Sequence, residues 1–158
     1  MIPATHLKAI WIIYDKLKSL EIKWAITGSL GFALHGMDIA VNDIDLQTDK
    51  DGAYRIEDAF RSHVVRKVIF SEARGIRSYF GELSIKDIKV EIMGALQKKL
   101  PNRKWELPVD VEKYLEFIDF EGMRLPVLSL TYEEQAYRKL GRTEKAERIK
   151  DWLILQSK

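Results

Sequence analysis

The most constraining stretch of this sequence is Asn42-Asp43-Ile44-Asp45-Leu46, where acids and large aliphatics alternate at every step. A period of two is the period of a β-strand, so Ile44 and Leu46 fall on one face and Asp43 and Asp45 on the other, about 7 Å apart along the chain. Such a strand needs an apolar layer under one face and either water or a counter-charge over the other. Ile88-Lys89-Val90-Glu91-Ile92 repeats the layout with one acid, Val90 and Ile92 framing Glu91. If the two segments are neighbouring strands, Glu91 completes a cluster of three acids.

Composition narrows what can surround these segments. The chain has 158 residues, 46% hydrophobic and 32% charged, with a formal net charge of +2, the profile of one soluble globular domain. A chain of this size buries roughly two-thirds of its unfolded surface, so it closes a core without disulfides or structural metal. It has no Cys, which excludes zinc knuckles and thiol catalysis and is compatible with a reducing cytoplasm. The 26 Lys+Arg nearly balance the 24 Asp+Glu, giving no case for nonspecific nucleic-acid binding. No apolar run has the length of a membrane span, and the opening Met-Ile-Pro-Ala-Thr-His lacks a signal-peptide pattern, so a cytoplasmic location is expected.

Periodicity predicts a helix over 7–20, a strand at 22–27, and a short helix entered after Gly28-Ser29 and closed by Gly36. A strand at 41–48, a helix over about 51–62, and two or three strands at 64–70, 76–84 and 87–93 follow. Beyond a polar, basic, proline-marked stretch (94–110), a hairpin turns at Glu121-Gly122. A helix starts at the capping box Thr131-Tyr-Glu-Glu134 and breaks at Gly141, and a last helix runs from Thr143. With no repeat or linker, residues 1–158 are expected to form a single domain, with a core over about 1–94 and a C-terminal hairpin and helices over about 95–158. The four Trp residues read mostly as core candidates, and His35 as a packing or solvent-exposed residue. Lys98, Lys99, Arg103 and Lys104 form a basic run that suits a solvated loop or a phosphate-facing patch.

Two carboxylates this close repel unless a cation joins them, and hard oxygen ligands suit Mg²⁺ or Mn²⁺. Alone, the acids equally suit an exposed sheet face, Gly28-Ser29 an ordinary helix cap, and Glu91 half of a salt bridge with Lys89. Together they combine a helix N-terminus able to face an anion with metal-binding acids, the equipment of phosphoryl or nucleotidyl transfer.

In order and spacing these residues resemble the DNA polymerase β-like nucleotidyltransferases. The pattern is Thr27-Gly28-Ser29, thirteen intervening residues, Asp43-Ile44-Asp45, and later Val90-Glu91-Ile92. The similarity covers about residues 20–93 and is greatest to small stand-alone prokaryotic members, including antitoxin-type and abortive-infection nucleotidyltransferases. Lys139-Leu-Gly-Arg142 resembles the Lys-x-x-Gly-Arg those members carry near the nucleotide. Two departures stand out: the third acid is Glu where Asp is usual, and the Lys-Asp that commonly follows Gly-Arg is replaced by Thr143-Glu144-Lys145.

The resemblance implies an α/β fold with a mixed, mostly antiparallel sheet of about five strands, flanking helices and a C-terminal helical extension. It implies a metal-dependent transferase moving a nucleoside monophosphate from an NTP to a hydroxyl acceptor (RNA, protein or small molecule) with release of pyrophosphate. In that scheme Gly28, Ser29, Lys139 and Arg142 hold the nucleotide, and Asp43, Asp45 and Glu91 bind Mg²⁺ or Mn²⁺ and carry the catalysis. The alternative is a nucleotide- or partner-binding, antitoxin-like module of the same fold, with a toxin–antitoxin-type protein partner and little or no transfer.

Overall fold

The computed structural model describes all residues from Met1 to Lys158. Helix α1 (Ala4–Leu17) leads into strand β1 (Trp24–Thr27), and the short helix α2 (Gly28–Leu34) follows without a break. After β2 (Ile44–Thr48) and α3 (Lys50–Ala59) come three long strands, β3 (Val64–Ala73), β4 (Ile76–Ile85) and β5 (Ile88–Lys98). One turn of helix, α4 (Val111–Tyr114), introduces the hairpin β6 (Leu115–Phe120) and β7 (Met123–Leu128). The chain ends in α5 (Leu130–Lys139) and α6 (Thr143–Gln156). No helix is long and apolar enough to cross a membrane.

All seven strands join one sheet in the order β3-β4-β5-β2-β1-β7-β6, two more than expected because the β6–β7 hairpin is part of it. β2 pairs with β5, and β1 with β7, in parallel; the other pairings are antiparallel, so the sheet is mixed and mostly antiparallel. The apolar half of each alternating segment faces α1 and α3. Ile44, Leu46, Val90 and Ile92 are fully buried there with Ile10 and Leu17 of α1 and Ile56 of α3, each burial being worth about 1.5–3 kcal/mol. On the other side, Phe32 of α2 packs with Leu130 of α5 and Ile149 of α6, which fixes the C-terminal helices beside α2.

Several boundaries depart from the sequence expectation. α1 begins at Ala4 because Pro3 stands at its N-cap with the fixed φ that suits a helix start. β2 begins at Ile44, leaving Asp43 just before the strand, because its neighbour β1 turns into α2 beyond the Thr27–Asp45 pair. β5 continues to Lys98, into the stretch read as a loop, because β4 pairs with it as far as Ile76–Lys98. The cap of α5 is Ser129, whose hydroxyl accepts from the Tyr132 amide at 3.1 Å, two residues before the expected one. Glu134 instead pairs with Arg138 one turn along the helix. Among the tryptophans, Trp24 is buried and Trp11 is half exposed.

Candidate functional site

The register places five side chains in a row across the sheet: Thr27 beside Asp45, Asp45 beside Glu91, Glu91 beside Glu82, and Glu82 beside Arg66. Directly paired residues share a face, so Asp45 and Glu91 lie side by side on the face opposite α1 and α3. The expectation that the two acid-bearing strands are neighbours holds. Asp43, one step before β2, completes the acidic group at its open end.

Each carboxyl feels its surroundings in a specific way. Burial pushes Asp45 up from 3.8 to about 7, reinforced by Glu91, Asp43 and Glu133 and opposed by Lys89. Burial also raises Glu91; Lys89 and Arg66 pull it down, while Asp43 and Glu82 push it up. The Lys89 ammonium lies 3.9 Å from Asp43 Oδ2 and 4.0 Å from Glu91 Oε1. The side chains are spread around this ammonium, and no three acid or histidine groups converge on a common centre. The donor set is nevertheless one that fits a hard divalent cation: oxygen only and partly buried, with Asp45 and Glu91 destabilised as free anions.

Gly28 makes the site possible. It takes φ +70° at the junction of β1 and α2, and a Cβ there would collide with Asp45 Oδ2, so only glycine lets the backbone lie against that carboxylate. The junction is tied from below by Glu133 of α5, which accepts from the Thr27 hydroxyl at 2.6 Å and from the Gly28 amide. Glu133 is itself buried, and burial pushes it up to about 7 against these hydrogen bonds. The Ser29 hydroxyl accepts from the Asn42 amide at 3.0 Å, joining the start of α2 to the loop carrying Asp43.

The two C-terminal candidates part company. Arg142 lines a cavity of about 170 Å³ together with Thr27, Gly28 and Asp45. Lys139 lies outside it, its Nζ 2.9 Å from Glu106 Oε2, and lines a separate cavity of about 440 Å³ with Asp110 and Tyr114. α5 ends at Lys139, and Gly141 at φ +78° redirects the chain before Arg142. Of the basic run, Lys98 is buried against Glu106 at 3.3 Å, whereas Lys99, Arg103 and Lys104 are exposed. His35 is structural, its Nε2 lying 2.9 Å from the Leu128 carbonyl oxygen.

Two site residues escaped the sequence reading. Gln47 continues the alternation of Asp43 and Asp45 onto the same face, a signal present in the sequence. Glu133 gave none, because a glutamate near a helix start reads as a capping residue.

Known proteins similar to this chain bear on its family and fold. The family model described as aminoglycoside-2''-adenylyltransferase matches residues 9–152. TM1012 from Thermotoga maritima, assigned as a nucleotidyltransferase, is 53% identical and superimposes with a TM-score of 0.87 over 97% of this chain and 95% of its own. The lincosamide adenylyltransferase LnuA, bound to lincomycin, is 12% identical with a TM-score of 0.56 over 90% of this chain and 96% of its own, and so shares the fold. The same is true of ANT(2'')-Ia in complex with adenylyl-2''-tobramycin, at 13% identity and a TM-score of 0.55 over 98% and all of its chain. Among curated proteins, none matches by sequence. With a family match over nearly the whole chain and a relative of more than half identity along its length, the chain belongs to the aminoglycoside-2''-adenylyltransferase family, nucleotidyltransferase enzymes of polymerase β-like fold.

Proposed function

We propose that this enzyme transfers adenylate from ATP to a hydroxyl of a small-molecule acceptor in a metal-dependent reaction that releases pyrophosphate. The observation that carries the reading is the side-by-side pair Asp45 and Glu91, both raised from their ordinary values by burial, with Asp45 against the glycine junction that opens α2. A small-molecule acceptor, rather than an RNA end or a protein hydroxyl, is supported by the family and by the antibiotics bound to LnuA and ANT(2'')-Ia.

In this reading Asp43, Asp45 and Glu91 would hold Mg²⁺ or Mn²⁺, with Lys89 moving aside. A divalent ion bound there supplies neutralisation of the charge developing on the transferred phosphoryl group and on the leaving oxygen. Gly28 and Ser29 lie against the triphosphate at the start of α2, and Arg142 contacts it from the C-terminal side. Lys139 reaches it only by leaving Glu106. The acceptor oxygen attacks the α-phosphorus, the new P–O bond forms as the bond to the β-phosphate oxygen breaks, and the acceptor proton passes to Glu91. A carboxyl raised by burial is better matched to that proton than an ordinary solvated one.

The position of Lys89 between Asp43 and Glu91 favours one second reading, a nucleotide- or partner-binding module of antitoxin type in which the ammonium replaces the metal permanently. Incubation with ATP labelled at the α-phosphate, Mg²⁺ or Mn²⁺, and a panel of aminoglycosides and lincosamides beside a cell extract separates the two. Label moving to a small molecule with the wild type and not with Asp45→Asn is the expected result. Metal-dependent nucleotide binding with no label transferred would replace transfer by the binding reading.

A further inference from the structure

Gln47 is 6% exposed, and its Oε1 is buried without a hydrogen-bond partner. Buried polar atoms in native proteins are nearly always paired, so an orphan on a residue that lines a cavity calls for a partner there. The cavity is the one of about 170 Å³ that Gln47 lines together with Thr27, Gly28 and Asp45. That volume is below the roughly 300–1,000 Å³ of a pocket that encloses a whole drug-sized ligand. It suits one end of a nucleotide on its Gln47 side, with the charged triphosphate beyond it, beside the Gly28 and Arg142 that border the cavity.

The position of Gln47 indicates which end. It lies two residues past Asp45 on β2 and on the same face, about 7 Å further along the strand. A nucleotide with its α-phosphate at Asp45 has its base one sugar away, which is that reach. The walls beside Gln47 are Ile76, Met93, Leu96 and Leu140, apolar side chains suited to the faces of a flat ring. Leu96 reaches this cavity because Ala95 takes φ +52°, and the register between β4 and β5 shifts there. The bulge carries the residues beyond it to the face of Met93. Lys98 arrives by the same route, but its charge is engaged by Glu106 and the Tyr132 hydroxyl, which leaves Gln47 to address a ligand.

We propose that this cavity receives the nucleobase and that Gln47 is the residue that selects it, accepting a hydrogen bond from the exocyclic amine of adenine. The assignment rests on the nucleotidyl-transfer reading above. A carboxamide pairs with adenine through the N6 amine and N7, whereas a 6-oxo purine presents an acceptor where Oε1 needs a donor.

The test is calorimetric titration of ATP and of ITP, which differ at the 6-position alone, with Mg²⁺ and no acceptor, into the wild type, Gln47→Leu, Gln47→Met and Asp45→Asn. The wild type is expected to bind ATP at least about tenfold more tightly than ITP, since a site built to pair with an amine rejects the analogue lacking it. Gln47→Leu is expected to lose that preference through weaker ATP binding while melting no lower than the wild type, because it removes an unpaired buried amide. Gln47→Met gives the same reading if the leucine variant does not fold, and the wild-type ratio alone tests the cavity's selectivity if neither does. Equal affinity of the wild type for the two nucleotides, or an unchanged ratio in a folded Gln47 variant, overturns the assignment. If ATP binds and Asp45→Asn abolishes binding while that ratio stays unchanged, Gln47 alone is wrong. If the wild type binds neither nucleotide, the transfer reading fails and takes this proposal with it.

Discussion

Two charge clusters on this sheet are built from similar parts and come out opposite. At one, the Lys89 ammonium lies 3.9 Å from Asp43 and 4.0 Å from Glu91, Asp45 has no ion pair, and burial holds Asp45 and Glu91 above their ordinary values. At the other, Glu106 lies between two ammoniums, Lys139 at 2.9 Å and Lys98 at 3.3 Å. Burial pushes Glu106 up as well, but the hydrogen bond from Lys139 and the charge of Lys98 and Lys139 outweigh it and hold the group below its ordinary value. In the second cluster the charge of Glu106 is balanced by the protein's own ammoniums, although Oε1 faces Lys98 as an ion pair without a hydrogen bond, and the cluster holds the segment after β5 against α5. The first is short of positive charge, which is the electrostatic condition that the metal-dependent reading proposed above requires.

The strongest way to break this contrast is Asp45→Asn. Transfer is expected to fall by at least about 10²-fold, in line with the loss of an electrostatic group acting at the reacting phosphate, while stability near pH 8 holds or rises because a disfavoured buried anion is gone. The pH dependence carries the sign. Burial pushes Asp45 up to about 7 in the folded state from the ordinary 3.8, so between those values the folded state holds the extra proton. Its contribution to stability therefore falls as pH rises from about 4 to about 7 and stays level above that. Thermal melts across this range should show a shallower decline in Asp45→Asn, and an identical decline would mean that the carboxyl is not destabilised as described.

Glu106→Ala should do the reverse. It leaves Lys98, 5% exposed, without its counter-ion, and a loss of about 2–3 kcal/mol is expected in denaturant unfolding, reduced from the fully buried case because Glu106 keeps some solvent contact. A change below about 0.5 kcal/mol would show that the second cluster is only a surface ion pair.

Gly28→Ala tests the close approach that joins backbone to carboxylate. The added Cβ meets Asp45 Oδ2 at a positive φ, so a cost of about 1–3 kcal/mol is expected, together with lost nucleotide binding. Wild-type stability and affinity would refute the need for glycine.

The smallest effect belongs to Lys89→Met. Removing the ammonium should tighten Mg²⁺ binding by no more than about fivefold, because Lys89 is half exposed and its pairing is screened. Weaker Mg²⁺ binding would mean that Lys89 assists the metal rather than competing with it.

The acid-bearing strands were legible because alternation of this strength has one physical meaning, and the helix after Gly28-Ser29 because a glycine followed by a polar residue punctuates the chain. Strand number was less so. The β6–β7 hairpin is visible in the sequence, but its attachment to the main sheet rests on the parallel Ile26–Val127 pair, a contact between residues a hundred positions apart. Lys139 and Arg142 read as one motif and were separated by the turn at Gly141. Lys98 read as part of a solvated loop and is buried, because a positive φ at Ala95 turns the end of β5 over.

By itself, then, the sequence determined the two faces of β2 and β5, the glycine junction beside them and the chemistry those residues can support, since each depends on neighbours within a few positions. The tertiary structure alone decided that Glu91 stands beside Asp45, that Glu133 reaches from α5 to hold Thr27 and Gly28, and that Gln47 closes a cavity with residues of β4, β5 and the C-terminal helices. Register, helix docking and a single bulge set those relations through the shared core, and no local pattern encodes them.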